Sequence, residues 1–343
     1  MTANFHRILF TLAASLIVVD IAWGFYGHFH VDVLAYARLG LLSLAMLAGG
    51  HYYQNRRGEP ALAAIMFGTA FLCAFSAAAS VLNYFLLTVA GPRIDDVLAI
   101  ADRALGFDWY NTMVMMSHHV VLNDIFFRVY NLVLPQIALV MIALAWNGHA
   151  EKVYRYCLAV AVGALIAITV WALVPSLGAK SLYILPPDVE ARLTLSITTE
   201  YGKELVALLH NGPGYITPTD VRGLIAFPSY HGVLALIVTF YAWSVRWLRW
   251  PALLTNAVVL ICTPIQGGHH LVDVLASFPV AALSIFIASL GEKAKDAAIL
   301  SGVVNKPPRL SIGPVPQGLF RIEAEQEAAA EPAAIKPKLS GVS

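Results

Sequence analysis

Charge is what this sequence has least of. Only 13% of its 343 residues are Asp, Glu, Lys or Arg, against 59% hydrophobic. A soluble domain carries about 25% charged residues. Together with a mean hydropathy of +0.70, the deficit excludes an ordinary soluble globule and points to an all-α, polytopic transmembrane protein. A net charge of +1 gives no electrostatic footprint for nucleic acid. Cysteine is scarce as well. Cys73, Cys157 and Cys262 lie in apolar runs without metal or disulfide spacing, and read as buried or lipid-facing thiols. No internal repeat divides the chain. The first apolar run, residues 8–25 after Arg7, is longer than a secretory h-region. No small-x-small cleavage site follows it, so it reads as an uncleaved span.

What is present is a series of apolar runs. Spans are expected at 8–27, 33–53, 61–90, 125–146, 154–176, 228–246, 251–266 and 271–290, about eight in all. With the N-terminus cytoplasmic, the inner loops hold Arg56, Arg57, Lys152, Arg155, Arg246, Arg249, Lys293 and Lys295. The short outer loops 28–32 and 267–270 hold no Lys or Arg, as the positive-inside rule requires. Residues 93–109 pattern as an interfacial amphipathic helix. Ile94, Val97, Leu98, Ala101 and Leu105 form one face, with Asp95, Asp96, Asp102 and Arg103 opposite. The long segment 177–227 reads as a functional cap or a disordered loop. From about residue 300 the composition turns to Pro, Ala and Glu, as in a disordered cytoplasmic tail. The expected organisation is 1–92 for the N-terminal spans, 93–290 for a membrane core, and 291–343 for the tail.

Two strings carry chemistry. Pro228-Ser229-Tyr230-His231 and Gly267-Gly268-His269-His270-Leu271-Val272-Asp273 each set a histidine at the start of an apolar run. The charge map puts both on the outer side. Asp273, four residues after His269, shares its helix face and can orient the imidazole for nucleophilic attack. A structural His–Asp pair is the competing reading. Pro228 suits a first helical turn, whose open amides make an anion site, with Ser229 adding a hydroxyl. An ordinary Pro-Ser helix start with an interfacial histidine is the alternative there.

Taken together, P-S-x-H followed by G-G-H-x-x-x-D-V resembles the type 2 phosphatidic acid phosphatase superfamily of metal-independent, multispan phosphatases and phosphotransferases. Ala226–His231, Gly268–Ala276 and Asp102–Trp109 are most similar to its inositol-phosphorylceramide-synthase-like branch. The resemblance implies a six-helix core and a phosphohistidine formed on His269. It implies that Asp273 orients that ring and that His231 protonates the leaving oxygen. Ser229 and the nearby Tyr230 and Gly268 would hold the phosphoryl group. It implies neither metal nor cofactor, a lipid phosphate substrate among membrane lipids, and no obligate protein partner. It also implies a site facing the periplasm of a bacterial inner membrane.

The sequence departs from the wider family where phosphate is gripped. The Ser-Arg pair expected seven and six residues before the nucleophile is Cys262 and Thr263 here, and K-x6-R-P is absent. Arg222, six residues before Pro228, and Lys180, just after the fifth span, are the replacement candidates. Arg192, Lys203 and His210 share the segment and read as solvated. His118 and His119 are adjacent and cannot share a helix face; His270 reads as a spare donor or an interfacial histidine. Asp20, near the outer end of the first span, is close enough to snorkel and takes no role. Hydrolysis of a lipid phosphate or diphosphate is the leading reaction. Transfer of an inositol-phosphate-type headgroup to a lipid or sugar hydroxyl is the alternative. Outside this class stand a haem-binding electron carrier and a non-catalytic lipid-binding relative.

Overall fold

Away from water every backbone N–H and C=O must bond within the chain, so long apolar runs become helices. In the computed structural model the backbone is described for residues 2–304 except 222, and side chains for residues 6–290 except 199 and 222. The helices run α1 (Thr2–Tyr26), α2 (Val33–Tyr52), α3 (Pro60–Phe85), α4 (Asp95–Ala104), α5 (Trp109–Ser117), α6 (Val120–Tyr130) and α7 (Val133–Trp146). They continue with α8 (Ala150–Leu173), α9 (Pro187–Glu190), α10 (Thr199–Asn211), α11 (Tyr230–Ala242), α12 (Arg249–Gln266) and α13 (Leu271–Val304). No strand occurs among the described residues; a single parallel bridge joins Val31 to Ile216. Residues Met1–Gly291 form one compact unit and Glu292–Ser343 a second. The tail expected from 291 lies, beyond Val304, outside the described residues.

Among the described residues, five helices are long and apolar enough to cross a membrane: His6–Tyr26, Val33–Arg57, Pro60–Thr88, Ala150–Leu173 and Leu271–Leu290. A sixth arises if α6 and α7, bent by 44° at their break, count as one span. The count is therefore five or six rather than eight. The run expected at 228–246 yields only the 13 residues of α11. At 1.5 Å per residue that is about 20 Å, short of a hydrocarbon layer about 30 Å thick. The run expected at 251–266 becomes α12, which starts at Arg249 and carries Asn256 and Gln266 in its buried face.

The main core gathers α1, α3, α7, α8, α11 and α13 around residues such as Phe67, Phe71, Tyr156, Val233 and Ile237. Lipid tails are as apolar as leucine, so helices in a membrane associate through close packing of small residues. Gly163 of α8 fits that need: an added Cβ would lie 2.9 Å from Val233 and 3.3 Å from Ser284. Gly232 of α11 fits it more tightly, since its Cβ would lie 2.6 Å from the Ser277 hydroxyl of α13. That contact draws the starts of α11 and α13 together. The bridge at Val31 and Ile216 ties the 27–32 turn to the cap, through Asp32 N–H to the Ile216 carbonyl at 2.9 Å and Ile216 N–H to the His30 carbonyl at 2.8 Å.

The amphipathic helix forms as α4, and part of its acidic side is turned into the protein. Asp95, Leu98, Ala99 and Asp102 are buried, at i, i+3, i+4 and i+7. Val97, Ile100 and Leu105 are exposed. In a membrane protein the apolar side can meet lipid, and the polar side turns inward wherever partners wait for it.

A Gly232→Val substitution should push α11 off α13. Overpacking of this kind costs about 1–3 kcal/mol, so the midpoint of thermal unfolding in detergent should fall. An unchanged midpoint would show that the contact between the two helices is not tight.

Candidate active site

α13 begins inside the protein, and a helix start leaves backbone N–H groups without intrahelical partners. Two carboxylates meet them. Asp102 of α4 accepts from Leu271 N–H at 3.1 Å and Val272 N–H at 3.0 Å. Asp273, in the first turn, accepts from His270 N–H at 2.9 Å. Asp102 also takes the His270 ring, whose Nδ1 lies 3.0 Å away. The other ring nitrogen of His270 faces Asp95 at 3.8 Å. Asp95 in turn accepts from Ser176 Oγ (2.8 Å), Leu177 N–H (2.9 Å) and Gly178 N–H (3.0 Å). The acidic face of α4 is thus a clamp on the start of α13, and His270 is buried within it (1% exposed).

His269 points the other way. Its Nδ1 lies 3.1 Å from the Ala226 carbonyl and 3.2 Å from Asp273 Oδ2. Both partners are acceptors, so Nδ1 carries the proton and donates. Nε2 is left with its lone pair, 3.4 Å from the Ser229 hydroxyl. Burial first, then the Lys180 charge, holds the His269 imidazole down to about 3, against the upward pull of the Ala226 carbonyl. The ring is therefore neutral at physiological pH, as a nucleophile must be. For His270, burial also works downward. The Asp102 hydrogen bond and the charges of Asp273, Asp102 and Asp95 outweigh it, and the net shift is upward. The proton affinities of the two adjacent histidines are thus shifted in opposite directions.

Ser229 caps α11, accepting from Gly232 N–H at 3.3 Å. Its own N–H donates to the Asp273 carbonyl at 3.0 Å. Pro228 precedes the cap instead of sitting in the first turn, and Tyr230 and His231 are the first helical residues. Their amides face the open end of the helix. The His231 ring stacks on Tyr130, with centroids 4.5 Å apart and planes at 10°. It lies close enough to His269 and Lys180 to feel their charge. The Tyr230 side chain leaves the cluster: its hydroxyl donates to the Val160 carbonyl of α8 at 3.0 Å.

Gly267 and Gly268 let this loop meet the one after α8. Gly268 has φ +63° and Gly178 has φ +83°, a region costly for any residue with a Cβ. A Cβ on Gly268 would lie 2.6 Å from the Lys180 side chain, and one on Gly178 would strike the Gly268 carbonyl oxygen. Lys180 wraps the loop. Its N–H donates to the Gly268 carbonyl at 3.3 Å, and its Nζ to the Gly267 carbonyl at 3.0 Å. Burial pulls the Lys180 ammonium down to about 7, against the opposing pull of Asp273 and Asp95. The other end of the cap is tied by Gln266, which donates to the Thr194 carbonyl at 3.2 Å and accepts from Ser196 N–H at 3.2 Å.

The structure therefore brings His269, Asp273, Ser229, Gly268, Lys180 and the start of α11 with His231 together. Arg222 lies outside the described residues. Cys262 and Thr263 are fully buried, the latter bonded to Val259 at 2.7 Å. Arg192 and Lys203 are exposed beside Asp188 and Glu200; His210, His118 and His119 are also exposed. Among the described residues no group of three His, Cys, Asp or Glu side chains is arranged to hold a metal ion. Sequence reasoning missed the inward roles of Asp95, Asp102 and His270, and the stacking of Tyr130. The seven-residue spacing of Asp95 and Asp102, two helical turns, was the available signal.

A family model described as the PAP2 superfamily matches residues 96–287. That range takes in α4, both histidine strings and the cap. No curated protein and no solved structure matches the chain.

Asp102→Ala would leave two buried amides and the His270 ring without their acceptor. Removing one partner of a buried charged network costs about 3–5 kcal/mol. Unfolding in detergent should show a loss of that order, whereas a variant within about 0.5 kcal/mol of the parent would refute the clamp.

Proposed function

Because the chain belongs to the PAP2 superfamily, we propose that it is an integral-membrane lipid phosphatase working through a phosphohistidine on a lipid phosphate or diphosphate. The observation that carries this reading is the state of His269: Nδ1–H donates to Ala226 and Asp273, and Nε2 keeps its lone pair, facing the Ser229 hydroxyl at 3.4 Å. Nε2 attacks phosphorus, the P–N bond forms, and the P–O bond to the lipid alcohol breaks. Burial, then the His269 and Lys180 charges, hold the His231 imidazole down to about 3; beside the anionic substrate it takes up a proton from solvent and gives it to the departing oxygen. It then takes one from a water whose hydroxide attacks the phosphohistidine, releasing phosphate and restoring the His269 lone pair. Asp273 holds the ring through both steps. The Ser229 hydroxyl, the amides of Tyr230, His231 and Gly268, and the Lys180 ammonium surround the phosphoryl oxygens, where charge grows in the transition state. Arg222 belongs to this proposal on sequence position alone.

With α6 and α7 counted as one span, Arg56, Arg57, Lys152 and Arg155 still fall on the cytoplasmic side, and this supports a site on the outer face, which for a bacterial inner membrane is the periplasm. Family membership favours phosphoryl chemistry over the haem alternative. Transfer to an alcohol has one observation in its favour. A cavity of about 350 Å³ lies beside Lys180, lined by Tyr183, Glu190 and Lys203 among others. It has the room and polarity for an acceptor hydroxyl.

The test is a panel of lipid phosphates and diphosphates in EDTA, with and without inositol or a sugar acceptor. Phosphate release by the parent and none by His269→Ala is expected. Full activity in His269→Ala would sink the reading, and acceptor-dependent product would move it to transfer.

A second expectation follows from Lys180. A group that loses its proton near pH 7 grips a phosphate below that pH and releases it above. KM should rise as pH passes about 7, and Lys180→Met should raise KM at pH 6 and flatten the profile. A parent profile that is already flat would remove Lys180 from phosphate binding.

A further inference from the structure

A second cavity, of about 700 Å³, opens where the outer end of α1 meets α3 and the 27–33 turn. Asp20 lines it. That carboxylate sits within the first apolar span, is 9% exposed, and its Oδ1 is buried with no hydrogen-bond partner. An ionisable group inside a membrane helix is costly, and persists where it pairs with something. Among the described residues, no Lys or Arg lines the cavity to serve as that partner. Snorkelling, the expectation from sequence, does not describe its position, because the side chain is covered by protein.

The walls say what the partner is. Phe29 and Phe85 stack with centroids 4.5 Å apart at 20°, and Phe25 stands at the rim, 76% exposed. His28 and His30 complete the lining relevant here; His28 holds a left-handed φ of +54°, uncommon for a residue with a side chain. One carboxylate among aromatic faces matches an alkylated ammonium, which takes a counter-ion on one side and π-electron density on the others. A hard metal ion would need several more oxygen ligands, and an anion would be repelled.

We propose that this cavity binds an organic ammonium group, with Asp20 as its counter-ion and Phe25, Phe29 and Phe85 as its aromatic wall. The group is either a free amine or the headgroup of a choline-type lipid; the chemistry is shared. The rim of the cavity is hydrogen-bonded to the cap, since His30 accepts from Ile216 N–H. The site stands apart from the His269 cluster and does not rest on the phosphatase reading.

The experiment is calorimetric titration of the purified full-length chain in a neutral detergent with tetramethylammonium, and separately with neopentyl alcohol, its neutral isostere. The parent should bind tetramethylammonium and not the alcohol. Asp20→Asn, nearly isosteric, should weaken binding at least tenfold while keeping the phosphate-releasing activity of the parent. Phe85→Leu should weaken it severalfold by removing an aromatic face. Absence of binding to the parent, equal binding of the alcohol, or unchanged binding by Asp20→Asn would overturn the proposal. Repeating the titration with added phosphatidylcholine or phosphatidylglycerol separates the sources. Loss of the signal with phosphatidylcholine alone assigns the site to a lipid headgroup, and retention assigns it to a free amine. If lipid phosphatase activity is absent from the parent while tetramethylammonium binds, the enzymatic reading fails and this one stands.

Discussion

Everything around His269 depends on the unmet amides at the buried start of α13. A helix that begins at the surface can leave its first N–H groups to water; this one cannot. The solution is two carboxylates, one from within the helix and one from α4, 169 residues earlier for the Asp102–Leu271 bond. Once Asp102 is brought in, the same Oδ2 that accepts from Leu271 also meets the His270 ring, and the neighbouring Asp95 faces the ring's other nitrogen. With His270 fixed in the clamp, His269 must face away from it, toward Ala226 and Ser229. The orientation of His269, the proposed nucleophile, is therefore a consequence of how a helix end is satisfied.

The same arrangement sets protonation. His270 is surrounded by three carboxylates and shifts upward, while His269 sees one carboxylate, a carbonyl and a lysine and shifts downward. Burial acts on both in the same direction, so the difference comes from the neighbours. Two adjacent imidazoles point to opposite sides of one loop, and only one side holds the acids in force. A neutral ring with a defined tautomer on one side, and on the other a ring held by carboxylates with its proton affinity raised, are what the two sides produce.

Much of this was legible in the sequence, and the limits are physical. The histidine strings were visible because a polar residue at the start of an apolar run is expensive and seldom idle. Helicity was visible because lipid leaves no alternative. The two faces of α4 were visible, but period alone does not say what each one meets: Val97 and Ile100 are outside, and Asp95 and Asp102 are turned in to partners far off in sequence. The runs at 228–246 and 251–266 were counted as spans because their letters are apolar; α11 stops after 13 residues, and the buried face of α12 carries Asn256, Thr263 and Gln266 while Leu254 and Ile261 stay exposed. Lys180 had weak support from spacing, and its place over Gly267 follows from a backbone-to-backbone approach that only the paired glycines permit.

The absence of the usual Ser-Arg pair fits this local design. Cys262 and Thr263 occupy a fully buried turn of α12 with their polar atoms bonded back to Val259. An arginine there would require space and acceptors that Phe126 and the α6 backbone already occupy on that side. Cationic charge reaches the loop instead from Lys180, across the glycine contact, as a point charge on a flexible stem. Such a group binds phosphate less rigidly than an arginine fork and releases its proton more easily when buried. A site built this way exchanges permanent, geometrically fixed charge for charge that depends on pH and on the occupant. The open amides at the start of α11 then carry the directional part of recognition, because their orientation is fixed by the helix and does not titrate.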